Sequence, residues 1–300
     1  MGIVVVGTVA YDSIETPFGK VEETLGGSAL YFTVAASFFT RVGIVAVIGE
    51  DFDLGKISFL KDRNVSFDGL YVEKGKTFRW KGYYSYNLNE AHTLDTQLNV
   101  LENFDPILPE EFTRKDLLFL ANIDPELQLK VLDQMKNVKF SAADTMNFWI
   151  DSKKEKVMEV FSRVNAVTIN EGEIRELTEE YNLVKAARKI LDIGPEHVII
   201  KRGEYGVLVF EKSGEVFFVP AYPLEKVFDP TGAGDTFAGG FMGFLDSQGE
   251  IKRNLRKAVI YGSVLASYNV EKFSFLKLLE ISRQDIDERY REFLNFCRVE

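Results

Sequence analysis

Apolar runs at 3–9, 42–48, 117–121, 139–143, 166–169 and 197–201 are almost free of polar residues, the pattern of strands buried on both faces of a sheet. Between them, apolar residues recur at helical spacing over 28–39, 54–63, 125–135, 153–163, 171–177 and 183–191, and further helices are expected after Asp235, Ile251 and Asp285. Two more strands are expected at 207–210 and 216–219. Such alternation dictates a doubly wound α/β fold: a mostly parallel central sheet with helices on both faces and ligands at the carboxyl ends of its strands. The chain has 300 residues, 46% of them hydrophobic, enough for one large core, and no repeat or linker divides it.

One region breaks the alternation. Tyr71, Val72 and the stretch 77–86 (TFRWKGYYSY) mix aromatic and β-branched residues with polar ones, as half-exposed strands do. Together with 19–25 they are expected to form a small sheet outside the main one. This predicts a β lid from roughly 13–25 and 70–100 on a single domain spanning 1–300.

The stretch 226–245, KVFDPTGAGDTFAGGFMGFL, carries the chemistry. Val227 and Phe228 end an extended run, Asp229-Pro230 turns the chain, and Gly232-Ala233-Gly234 leaves the backbone bare before a helix that is expected to begin at Asp235. The first amides of a helix lack internal partners and carry a positive end of the peptide dipole, so such a turn holds anions, phosphates above all. A carboxylate at that spot is electrostatically wasteful unless it acts. The competing reading makes Asp235 the helix N-cap, a role in which Asp excels, and taken alone that reading is the stronger. Two other phosphate motifs are excluded: no Gly-x-x-x-x-Gly-Lys-Ser/Thr occurs, and the glycine pattern is Gly-x-Gly-x-x-Phe, late in the chain.

The segment resembles the signature of the ribokinase-like, PfkB-type carbohydrate kinases, Asp-Thr-x-Gly-Ala-Gly-Asp followed by Thr-Phe-x-Gly-Gly, with Pro230 in the Thr position. Other elements of that family recur in order. Asp12 and the pair Gly26-Gly27 match the residues that bind substrate hydroxyls, with Asn122 near where relatives contact the substrate. Asn170 and Glu173 match the Asn-x-x-Glu element that holds Mg²⁺ through water, although Asn170 also reads as a plain N-cap. Lys201, Gly203, Thr231 and Gly262 fall where the family contacts ATP, Lys201 standing in place of a Thr and Gly262 on a helix that packs the adenine.

The resemblance thus implies an ATP-dependent kinase for a small sugar or sugar-like alcohol. Asp235 would be the base, and the amides of Gly232, Ala233 and Gly234 would form the anion hole. Ribose-specific members have Asn where Ala10 and Tyr31 stand, so ribose itself is in doubt. A nucleoside is the alternative, its base stacking on Tyr31, Phe32, Trp80 or Tyr83; a non-catalytic kinase-like binding protein is the reading from another class. A monovalent-cation requirement and a homodimer through the lid are left open.

Composition narrows the rest. A net charge of −10 without a basic block argues against a nucleic-acid partner. The single cysteine, Cys297, excludes an internal disulfide, and two histidines disfavour a histidine-rich metal site. No stretch reaches membrane-spanning length and no basic region precedes the first apolar run, so a cytoplasmic protein is expected.

Overall fold

The computed structural model describes residues 2–296; Cys297 lies outside them. In chain order the elements are β1 (Ile3–Val6), β2 (Ala10–Thr16), β3 (Gly19–Gly26), α1 (Ser28–Ala36), β4 (Val42–Gly49), the single turn α2 (Phe59–Asp62), β5 (Val65–Glu73), β6 (Phe78–Tyr84), β7 (Ala91–Gln97), β8 (Leu117–Leu120) and α3 (Pro125–Gln134). Then follow β9 (Phe140–Ala143), α4 (Asn147–Ser162), β10 (Ala166–Asn170), α5 (Glu171–Thr178), α6 (Leu183–Ile193), β11 (His197–Lys201), β12 (Val207–Glu211), β13 (Val216–Val219), α7 (Ala233–Gln248), α8 (Ile251–Asn269) and α9 (Arg283–Phe296).

The main sheet has nine strands in the order β13-β12-β11-β10-β9-β8-β1-β4-β5, parallel from β11 to β5 and antiparallel at β12 and β13. Its strands alternate sides, which is why they read as unbroken apolar runs. Ile3 and Val5 pack into one core with α1, α7 and α8, while Val4 and Val6 pack into another with α4, α5 and α6. The α/β architecture expected from the alternation is therefore present, with helices on both faces.

A second sheet of four strands, β3-β2-β6-β7, lies outside the first. It differs from expectation in its parts. Tyr71 and Val72 belong instead to β5, which pairs in parallel with β4 at the edge of the main sheet. The run expected as one strand over 3–9 stops at Val6, because a side chain at Gly7 would meet Ser28 Oγ at 2.6 Å and Ala121 Cβ at 2.9 Å where the chain passes the start of α1. The chain re-enters extended structure at Ala10, so Asp12 stands on a strand of the second sheet and not in a turn. Strand β7 was not singled out because almost nothing on it is buried.

Two helices also differ. The stretch 54–63 forms a 3-10 turn capped by Asp53 and one α-turn, ended by Asn64 at φ 59°. Helix α4 starts at Asn147, six residues earlier than expected, and breaks at Lys153 (φ −141°), whose ammonium reaches back to Asp124 and Glu126.

Helix α7 is held close to its neighbours. A Cβ on Gly239 would stand 2.3 Å from the Phe32 carbonyl oxygen of α1, and one on Gly240 3.0 Å from the Tyr261 carbonyl oxygen of α8. Gly239→Ala should therefore destabilise the protein by about 1–3 kcal/mol in denaturant unfolding, through overpacking. An isolated helix would instead gain about 1 kcal/mol from the same change, so a stabilised variant would mean that α1 and α7 are not locked in contact.

Candidate active site

Parallel strands bring their carboxyl ends to one edge, and there the register places Asn122 after β8, Asp144 after β9, Asn170 at the end of β10 and Lys201 at the end of β11. The N-terminus of α7 arrives at the same edge. Its approach is fixed by two buried side chains. Asp229 accepts hydrogen bonds from the Thr231 and Ser274 amides, both at 2.9 Å, while Asn269 donates to the Thr231 carbonyl at 2.8 Å and lies 3.2 Å from the Thr236 hydroxyl.

Gly232 is the N-cap of α7, at φ 71°, and the ring of Tyr31 lies so close that a Cβ there would overlap it. No side chain caps this helix, so Asp235, three residues further on, is not the cap that it resembles in sequence. The Ala233 amide donates to the Pro230 carbonyl at 3.1 Å and is spent. That corrects the expected anion hole: among the described residues, the Gly232 and Gly234 amides have no backbone acceptor, whereas Ala233 has one.

Lys201 reaches this turn. Its ammonium lies 2.9 Å from where a Cβ on Gly234 would stand and 2.5 Å from a carboxylate oxygen of Asp144. Burial works against the Lys201 charge, but Asp144, Glu173 and Asp235 hold its pKa above the ordinary value. Asp144 escaped the sequence reading although it had a signal, an acid directly after an apolar strand. Burial first, then the charge of Asp144, raises the Asp235 carboxyl to about 7, with Lys201 opposing.

Asn170 and Glu173 form a reciprocal capping box: Glu173 Oε2 accepts from the Asn170 amide at 2.9 Å, and Asn170 Oδ1 from the Glu173 amide at 2.8 Å. Glu173 is nevertheless 6% exposed, and burial together with Asp144 pushes its pKa upward.

Asp12 faces Gly26 so closely that a Cβ there would stand 1.8 Å from its Oδ2, and Gly27, at φ 96°, runs against the Thr8 carbonyl. Burial, reinforced by Asp229 and then Asp235, raises Asp12 to about 8. Asn122 is fixed on both sides: its Oδ1 accepts from the Trp149 indole at 3.1 Å and its Nδ2 donates to Met146 Sδ at 3.1 Å.

Other expected contacts fall elsewhere. A Cβ on Gly262 would meet the Phe237 carbonyl at 2.7 Å, so this glycine serves the packing of α7 on α8 and is not open to a nucleotide. Phe32 is stacked on Phe119 in the core, Tyr31 is sealed behind Gly232, and exposed Tyr83 stacks on His92. Of the four aromatics named for a base, Trp80 alone pairs laterally with Asp12 and shares its face of the second sheet. From the same face Tyr84, also missed, lies 3.3 Å from the Thr231 hydroxyl.

The family model described as pfkB family carbohydrate kinase matches residues 2–278. Cytidine kinase of Thermococcus kodakarensis is 32% identical over 250 residues, covering 81% of this chain and 87% of the relative. Among solved structures, the nucleoside kinase of Methanocaldococcus jannaschii superposes with a TM-score of 0.77 at 20% identity, covering 97% of this chain and 98% of that one. An E. coli protein described as a Ribokinase II, in complex with ATP and Mg²⁺, gives 0.79 at 16% identity, covering 97% and 99%. These likenesses extend the fold over nearly the whole chain.

The raised carboxyls have a thermodynamic consequence. Folded Asp12 and Asp235 keep protons to about 8 and 7, whereas the unfolded chain releases them near 3.8. Above the unfolded values the folded state binds more protons, so stability falls as pH rises through the folded pKa values. The melting temperature of the ligand-free protein should decline from about pH 5 to about pH 8 and level off above that, and Asp12→Asn should flatten the decline. A melting temperature that rises over this interval would show that these carboxyls are already ionised.

Proposed function

Since this chain belongs to the pfkB family of carbohydrate kinases, we propose that it transfers the γ-phosphoryl group of ATP to a hydroxyl of a small sugar or sugar-like alcohol. One observation carries the reading: Asp235 is not the N-cap of its helix, which is Gly232, yet it stands in the first turn beside Lys201, close enough to Asp12 to raise that carboxyl.

In this reading Asp235 takes the proton of the attacking hydroxyl, and a pKa of about 7 suits a base that works near neutrality. The Gly232 and Gly234 amides, with the Lys201 ammonium, stabilise the charge on the moving phosphoryl group, and positioning supplies most of the rest. Thr231 and Gly203 line the phosphate path. Asp12 accepts from substrate hydroxyls, and Gly26 and Gly27 leave them room. Asn122 keeps one N–H and one oxygen lone pair for substrate, the others being held by Met146 and Trp149.

The residues also fit a divalent cation. Glu173 is a carboxyl raised first by burial and then by Asp144, a pair of acids that a cation would relieve, and a side chain at Gly234 would crowd the Lys201 ammonium. Among the described residues no group of three acidic, histidine or cysteine side chains is arranged to hold a metal ion by itself, and Asn170 and Glu173 would hold the ion through water. Bound Mg²⁺ supplies neutralisation of the phosphate charge. The second sheet acts as a lid that excludes water from the transfer. No helix among the described residues is long and apolar enough to cross a membrane; the cytoplasm, which supplies ATP, is the location proposed with this activity.

A nucleoside acceptor is favoured by Trp80, set on the Asp12 face of the lid, and by the likeness to a cytidine kinase. ADP release should be measured with ribose, other monosaccharides, cytidine and other nucleosides. The reading predicts saturable, acceptor-dependent release; for a nucleoside, Trp80→Ala should raise KM about tenfold, since base stacking is worth about 1–3 kcal/mol. ADP release that ignores every acceptor would contradict the assignment.

A further inference from the structure

The turn joining β6 to β7 reaches away from the acceptor side of the site and ends on the nucleotide side. Asn89 lies against Gly203 so closely that its Oδ1 is 1.9 Å from where a Cβ on that glycine would stand. Gly203 follows Lys201 by two residues and holds φ +54°, where a side chain would be strained and would have to displace the Asn89 carboxamide. The turn itself is braced: the Leu88 amide donates to the Ser85 carbonyl at 3.0 Å, and Asn89 Nδ2 donates to Asn87 Oδ1 at 3.1 Å. Leu88 sits at φ 50°, a left-handed conformation that a leucine rarely adopts and that the surrounding turn must impose.

The same hairpin touches the phosphate turn lower down, through Tyr84 and Thr231 at 3.3 Å. Two points of the hairpin therefore rest on two loops that line the phosphate path, one on Thr231 and one on Gly203. We propose that Asn89 is a nucleotide-site residue carried by the second sheet, its carboxamide covering the phosphate path at Gly203. One Asn89 N–H is spent on Asn87, and the other is available to a phosphate oxygen. The consequence is that closing the sheet over the acceptor also completes the nucleotide site. This rests on the kinase reading above and adds to it a residue that no part of the phosphate signature contains.

The test is the affinity for Mg·ADP alone, by calorimetry, in wild-type protein, in Asn89→Ala and in a variant whose residues 85–90 are replaced by Asn-Gly. That turn is the natural two-residue link between Tyr84 and Ala91, which pair opposite each other, so β6 and β7 keep their register. Both variants should bind Mg·ADP about five- to twentyfold more weakly, the loss of one or two polar contacts, with the melting temperature of the ligand-free protein unchanged. Unchanged affinity overturns the proposal, and tighter binding overturns it too, because Asn89 would then be a plug that nucleotide must displace. Wild-type protein that binds no Mg·ADP would sink the kinase reading itself, a pattern distinct from variants that match a binding wild type.

Discussion

The Lys201 ammonium stands among the carboxyls of Asp144, Glu173 and Asp235, and much of the site follows from that imbalance of charge. Burying carboxylates is costly unless each is paired, so the acids with weaker partners have their pKa values raised. Asp12, Glu173 and Asp235 are all raised, whereas Asp144 holds the ammonium directly. A triphosphate brings more negative charge to the same place. It can dock only if positive charge arrives with it, which gives a divalent cation an electrostatic reason to be there. The same imbalance tunes Asp235 towards neutrality, where a base is most useful.

The geometry that places Asp235 depends on packing further along its helix. Gly239 lets α7 lie against the backbone of α1, and Gly240 and Gly262 let it lie against α8. Asp229 and Asn269 then tie the preceding turn to the chain that leaves α8. The glycine-rich signature is thus two devices in one stretch. Its first glycines leave the Gly232 and Gly234 amides without a backbone acceptor, and its later ones fix the helix that follows.

Much of this was legible in the sequence because it rests on local rules. Apolar runs buried on both faces announce a parallel sheet, and glycines before a helical period announce a helix start. What escaped depends on contacts distant in sequence. Asp229 and Ser274 read as loop residues, and their hydrogen bond spans 45 positions. Asp144 looks like any acid after a strand until Lys201 meets it across 57. Strand β2, which carries Asp12, was not separated from the apolar run before it although it is largely buried, and β7 escaped notice because almost nothing on it is buried. Gly262 misled in the opposite direction, since small residues on a helix look alike whether they face a ligand or another helix.

The claim that Asp235 is the base, and not an element of structure, is tested most directly by Asp235→Asn, with turnover, melting temperature and Mg·ADP affinity measured on one preparation. The carboxyl is not the N-cap of its helix and lies near Asp144, so removing its charge should leave stability equal or higher and nucleotide binding intact. Turnover should fall by about 10²–10⁴, the usual contribution of a general base. A folded variant that binds Mg·ADP and retains a third of the parental kcat would contradict the account.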